Sequence, residues 1–389
     1  MPDILHSALA FIVVLGVLVF VHEFGHYLAA RLCGVHVEVF SIGFGQAIAT
    51  WRDRVGTVWK LGWLPLGGYV KLHGHERPVM VEEPSGPGPI SRAIMRWRGK
   101  EIPASQPAPV RQPEPPKNWI PGRVFHEKPV SSRALVVAAG PIANFVLAMV
   151  LFAALFATAG RPVILPVAGQ VLPNSAAARA GIQPHDRILS IAGTPVNTFE
   201  DLQRIITARP AETLTVVVKR GDHTLSLPVL TESHESDGRQ VGMLGIRGGQ
   251  VEYHRLGLPE ALVGGVVQTW QVTSETVVGV AQMITGQRGT EDLGGPLRIA
   301  QLSGQVAELG LASLVSFIAV LSVNLGLINL FPIPVLDGGH LLFYLAEAIR
   351  GRPIPPRAQE YGFRAGLALL ASLFILATWN DIAHLGVFH

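Results

Sequence analysis

The run from Ile4 to Val21 is apolar except for His6 and Ser7, and it leads without a break into His22-Glu23-Phe24-Gly25-His26. About 20 helical residues cross the roughly 30 Å of a bilayer's hydrocarbon core, so a run of this length constrains the fold to a membrane helix. On that helix His22 and His26 stand at i and i+4 and share one face. The spacing suits two ligands of one zinc ion, with the adjacent Glu23 free to activate a water. Ionisable side chains at membrane depth are expensive to keep and so mark function. The competing reading is structural, with the histidines serving interhelical hydrogen bonds in a non-catalytic protein. The first residues carry Asp3 and no Lys or Arg, unlike the basic start of a signal peptide, so the run reads as a retained span.

Composition narrows the classes further. Of 389 residues, 49% are hydrophobic and only 15% charged, as in a membrane protein that also carries a soluble part. The formal net charge is +3, and no stretch combines clustered basic and aromatic residues, which argues against a nucleic-acid partner. Cys33 is the only cysteine, which rules out an intrachain disulfide and a cysteine-based zinc site. A metal would have to be held by His, Asp or Glu.

Four stretches have the length and apolarity of spans: 4–32, 134–159, 311–331 and 363–379, the last extending somewhat upstream. The loop after the first span carries Arg52, Arg54, Lys60 and Lys71 among others, and the loop before the fourth carries Arg350, Arg352 and Arg357. The positive-inside rule puts both loops in the cytoplasm and both termini outside, together with 160–310. The histidine pair then lies near the cytoplasmic end of the first span. Alternating runs at 35–39, 57–61 and 66–72 predict a small sheet directly after it, either a packed hairpin or a substrate-binding edge. Residues 76–122 are proline-rich and read as a cytoplasmic linker. Strand-like runs at 187–191, 214–219 and 224–229 surround a helix over 198–208 that Thr198 would cap. With Ser175 to Ile182 and Gln183 to Gly193, this segment resembles a PDZ domain of the bacterial protease type. Such a domain binds an extended peptide as an added strand or acts as a size filter. Polar residues from Gln268 to Glu275 interrupt the apolar pattern of 258–286, which favours an interfacial helix over a fifth span.

A catalytic zinc usually takes three protein ligands and a water. The candidate for the third is Asp337, in Asn329-Leu-Phe-Pro-Ile-Pro-Val-Leu-Asp337-Gly338-Gly339-His340 at the cytoplasmic end of the third span. Two prolines prevent regular helix there and two glycines permit an unusual path. Irregular backbone at that depth must be buried in protein or line a wet cavity. His340 competes as a ligand and ranks below Asp337.

An HExxH in the first span, Ala138-Ala-Gly-Pro-Ile-Ala-Asn-Phe145, the PDZ-like segment and Asn-x-x-Pro-x-Pro-x-Leu-Asp-Gly occur here in one order. Together they resemble the site-2 protease family of intramembrane zinc metalloproteases, and within it the branch that regulates sigma-E. The resemblance implies a multi-pass α-helical membrane protein with four transmembrane helices, a membrane-associated β-hairpin or sheet and one extracytoplasmic PDZ domain. It implies zinc on His22, His26 and Asp337, Glu23 as general base, and Asn324 and Asn329 as holders of the substrate backbone. The expected segments are 1–32, 33–75, 76–130, 131–160, 161–235, 236–310, 311–340 and 341–389. Relatives of that branch carry tandem PDZ domains and a shorter linker; this chain has room for one PDZ domain. The expected partners are single-span membrane proteins of the anti-sigma-factor type and the lipid bilayer. The expected site is the bacterial inner membrane, with the PDZ domain in the periplasm. Clearance of signal-peptide remnants and a non-catalytic PDZ adaptor are the alternatives.

Overall fold

In a computed structural model the chain is described over residues 4–74, 122–236, 239–287, 289 and 294–384. The proline-rich linker expected at 76–122 lies outside the described residues but for its last position. The chain divides into two compact units, Met1–Met149 with Thr269–His389, and Val150–Gln268.

The first unit begins with α1 (Ile4–Leu32), which holds the HExxH in its last third. Two long antiparallel strands follow, β1 (Val37–Arg52) and β2 (Val58–Leu72). Three shorter strands were expected. Gly43, Gly45 and Gly67 adopt positive φ, so the strands bend at these residues and fold back on themselves instead of ending. Residues 39–42 are paired on one side with 68–71 and on the other with 58–61, which in turn pair with 49–52. Residues 68–72 therefore form an outer lane. Asp53 fixes the turn: its carboxylate accepts the Val55 and Thr57 amides at 2.9 Å, the Trp59 indole at 3.2 Å and the Tyr27 hydroxyl at 3.3 Å. That last bond ties the turn to α1 one residue past His26.

The helix α2 (Val130–Thr158) contains Pro141, which lacks the N–H that would bond the carbonyl four residues back. It starts in the first unit and ends in the second. In the second unit follow β3 (Arg161–Ile164), β4 (Ala168–Val171), a single turn α3 (Ala176–Arg179), β5 (Arg187–Ile191), β6 (Thr194–Pro195), α4 (Phe199–Thr207), β7 (Thr213–Arg220) and β8 (His223–Leu230). Next come β9 (Glu232–Ser236), β10 (Arg239–Met243), β11 (Ile246–Gly248) and β12 (Val251–His254). A four-stranded antiparallel sheet runs β6-β5-β7-β8, and β4 pairs with β11, β3 with β12, β9 with β10. On β7, Leu214, Val216 and Val218 alternate inward and join Ile188, Ile191, Val229, Leu202 and Ile206 in one core. Thr198 caps α4 in a full capping box with Asp201. Asp186 is buried; it receives Arg220 through two bonds of 2.8 and 2.6 Å and the Gln183 amide at 2.8 Å.

The remaining helices are α5 (Leu258–Ile284), α6 (Pro296–Glu308), α7 (Leu311–Leu330), α8 (Asp337–Arg350) and α9 (Pro356–His384). Among the described residues four helices are long and apolar enough to cross a membrane: α1, α2, α7 and α9. Despite its length α5 is not one of them, in keeping with its polar middle. The stretch after His340 was expected as a loop and is helical instead. Leu341 and Tyr344 of α8 pack against a core of Ala29, Ala30, Val37 and Val136, and Gly351 in the left-handed conformation ends the helix. The sequence reading also missed α6. The Asp381 carboxylate of α9 caps it, accepting the Gly295, Leu297 and Arg298 amides at 2.8–3.2 Å.

Candidate metal centre

Helix geometry puts the His22 and His26 rings one turn apart on α1, with centroids separated by 4.8 Å. The third side chain arrives from the far end of the chain. Between α7 and α8 the backbone runs through Pro332-Ile-Pro-Val-Leu336, and Val335 takes φ 153°, which β-branched residues avoid. Gly338 and Gly339 let this segment fold tightly over itself: a Cβ on Gly338 would lie 2.2 Å from the Leu330 carbonyl oxygen. Asp337 therefore opens α8 as its first helical residue and faces the histidines. Arg133 of α2 anchors the other end of α8, pairing with Glu347 at 2.7 and 3.2 Å and lying over the Tyr344 ring.

The result is a triangle of donor atoms. His22 Nε2 and His26 Nε2 are 3.2 Å apart, and the Asp337 Oδ2 lies 3.2 Å from the first and 3.4 Å from the second. Ligands about 2.0–2.1 Å from a tetrahedral zinc are separated by roughly 3.3 Å, so the three edges match one face of such a tetrahedron. Asp337 Oδ2 is buried with no hydrogen-bond partner among the described residues, as expected of an atom reserved for a metal. His26 Nδ1 is 2.9 Å from the Val136 carbonyl, so that nitrogen carries the proton and Nε2 keeps its lone pair. The wall opposite is Gly140 of α2, where a Cβ would stand 2.3 Å from His26 Nε2. The three side chains form the one group of three or more metal-capable residues among those described, and His340 is not part of it.

Glu23 is one residue past His22 and so leaves α1 about 100° around from it. Beside it runs the outer lane of the sheet: a Cβ on Gly68 would come within 3.0 Å of the Glu23 Cγ and 2.9 Å of Val19. Asn324 and Asn329, both on α7, do not bond to the triangle. The Asn324 side-chain oxygen accepts the Thr276 hydroxyl at 3.0 Å, and the Asn329 amide donates to the Leu325 carbonyl at 3.0 Å. Sequence reasoning gave no role to Gly140, Gly68 or Val136. Gly140 lay inside the Ala138–Phe145 segment that carries the family resemblance, which was the available signal.

The model of peptidase family M50 matches residues 10–373. The chain belongs to peptidase family M50. A relative from Agrobacterium fabrum is 42% identical over 384 residues, 96% of this chain and 95% of its own. Metalloprotease MmpA of Caulobacter vibrioides is 36% identical (96% and 95% covered), and zinc metalloprotease RasP of Geobacillus kaustophilus 33% identical (98% and 99% covered). The chain is therefore a membrane-bound zinc metalloprotease of the site-2 protease family.

Proposed function

We propose that His22, His26 and Asp337 hold the zinc, that Glu23 is the general base, and that the substrate is the transmembrane segment of a single-span membrane protein. The observation that carries this reading is the donor triangle, whose edges of 3.2–3.4 Å join α1, long and apolar enough to be a span, to α8, which follows the span-length α7. Zinc in such a site polarises a scissile carbonyl and lowers the pKa of bound water towards neutrality. Glu23 takes the proton of the attacking water and passes it to the leaving amine.

A transmembrane substrate must first unwind, because its carbonyls are bonded along its own helix. The outer lane at 68–72, which passes beside Glu23, supplies for the unwound segment a strand edge that is unpaired among the described residues. Asn324 and Asn329 supply amide partners once they exchange Thr276 and Leu325 for substrate backbone. In the second unit, the sheet β6-β5-β7-β8 with the capped helix α4 supports the PDZ reading of 161–235. The chain then works in regulated intramembrane proteolysis of an anti-sigma-factor-type substrate in the bacterial inner membrane, with both termini and the PDZ-like unit periplasmic. The test is to reconstitute the protein in vesicles with a tagged single-span protein and to map the cut by mass spectrometry. A new terminus inside the apolar segment is expected; cuts confined to the extramembrane parts would overturn the reading.

A further inference from the structure

Asn144 is fully buried in an apolar stretch of α2, where an amide side chain is costly unless it is bonded. Its side chain reaches His22: the amide nitrogen as placed is 3.2 Å from His22 Nδ1. From α7, the Ser322 hydroxyl donates to the Asn144 backbone carbonyl at 2.8 Å, with Ser322 also fully buried, so the position of Asn144 is fixed from both sides. The nitrogen and oxygen of an asparagine amide are told apart by their bonding partners.

The chemistry of His22 decides the orientation. If Nε2 of His22 faces the metal with a lone pair, the neutral imidazole carries its proton on Nδ1. Only an acceptor can meet that N–H. With the amide nitrogen there instead, the proton would move to Nε2 and point into the donor triangle. We infer that Asn144 presents its carbonyl oxygen to the Nδ1–H of His22 and is a positioning residue, setting the tautomer and ring orientation that aim Nε2 at zinc. The inference rests on the zinc reading above. It completes a pattern: the Val136 carbonyl holds His26 and the Asn144 amide holds His22, both from α2, on either side of Gly140. Groups in this outer position typically alter metal affinity by about 10–100-fold when removed.

The experiment compares wild type, Asn144→Asp and Asn144→Leu as full-length protein, measuring zinc affinity by chelator competition and the unfolding midpoint of each metal-free form. Asp keeps an acceptor; Leu keeps the volume and loses it. The expected order is Asp close to wild type and Leu weaker by about 10–100-fold. A packing role predicts the reverse, with Leu tolerated and the buried charge of Asp disruptive. Wild-type affinity in Asn144→Leu, or equal loss in both variants, would overturn the inference. Absence of zinc from the wild type would instead overturn the metal reading on which it rests. Nitrogen-15 spectra of histidine-labelled, zinc-loaded wild type give an answer that needs no variant. A proton on His22 Nδ1 is expected, and a bare Nδ1 would contradict the assignment.

Discussion

At the scale of single residues, the space around the donor triangle is set as closely as the donors themselves. Gly140 stands where a methyl group would collide with His26 Nε2 and Cε1, at 2.3 and 2.5 Å. Gly140→Ala is therefore expected to displace His26 and to bring zinc well below one per chain by metal analysis, with the protein still inserted in the membrane. Full zinc occupancy would show that the two helices can separate there. His22 and His26 were legible in the sequence because an i, i+4 pair in an apolar helix has few other uses, and Asp337 because prolines and glycines surround it. Gly140, Gly68 and Val136 were not. Their contributions arise only when a second element approaches α1; nothing in the local pattern of Gly68 or Val136 encodes that approach, and Gly140 was marked only by the family segment it lies in.

Among the elements, α8 matters most, since it delivers Asp337 to the histidines. Its far end is held by the Arg133–Glu347 pair, whose side chains are only 10% and 15% exposed. Removing one partner of a buried pair leaves an uncompensated charge and costs about 3–5 kcal/mol, whereas replacing both with apolar residues of similar size is often neutral. Arg133→Met alone is expected to lower the unfolding midpoint and loosen zinc; Arg133→Met with Glu347→Met is expected to recover most of both losses. A double variant as damaged as the single would mean that the pair does more than anchor α8. The four long apolar helices, α4 and its cap could be read from periodicity and capping residues. Helix α6 could not, because its cap, Asp381, comes from α9, and α8 could not, because its packing partners lie in α1, β1 and α2. The long bent strands also escaped the sequence reading, since their glycines looked like strand ends.

Across the whole molecule, one buried carboxylate makes the second unit sensitive to acid. In the second unit, burial pushes the Asp186 carboxyl up, but the Arg220 hydrogen bonds, the Gln183 amide and the Arg220 charge outweigh it, leaving its pKa below the ordinary aspartate value. A depressed folded pKa contributes stability that is fully present above the unfolded value of about 3.9 and is lost as pH falls through the folded one. Hydrogen exchange across β5 and β7 in the full chain is expected to lose protection below about pH 4. Asp186→Asn should lower that protection at neutral pH and flatten its acid dependence; an unchanged profile would mean that the pair is not what ties Gln183–Asp186 to β7. The proposed chemistry lies in the first unit, with Glu23 acting on a water while His22, His26 and Asp337 hold the metal. The most direct test is purified Glu23→Gln in vesicles with a single-span substrate, read for zinc content and cleavage on the same sample. One zinc per chain with no detectable cleavage is the expected result; cleavage at the wild-type rate would contradict it.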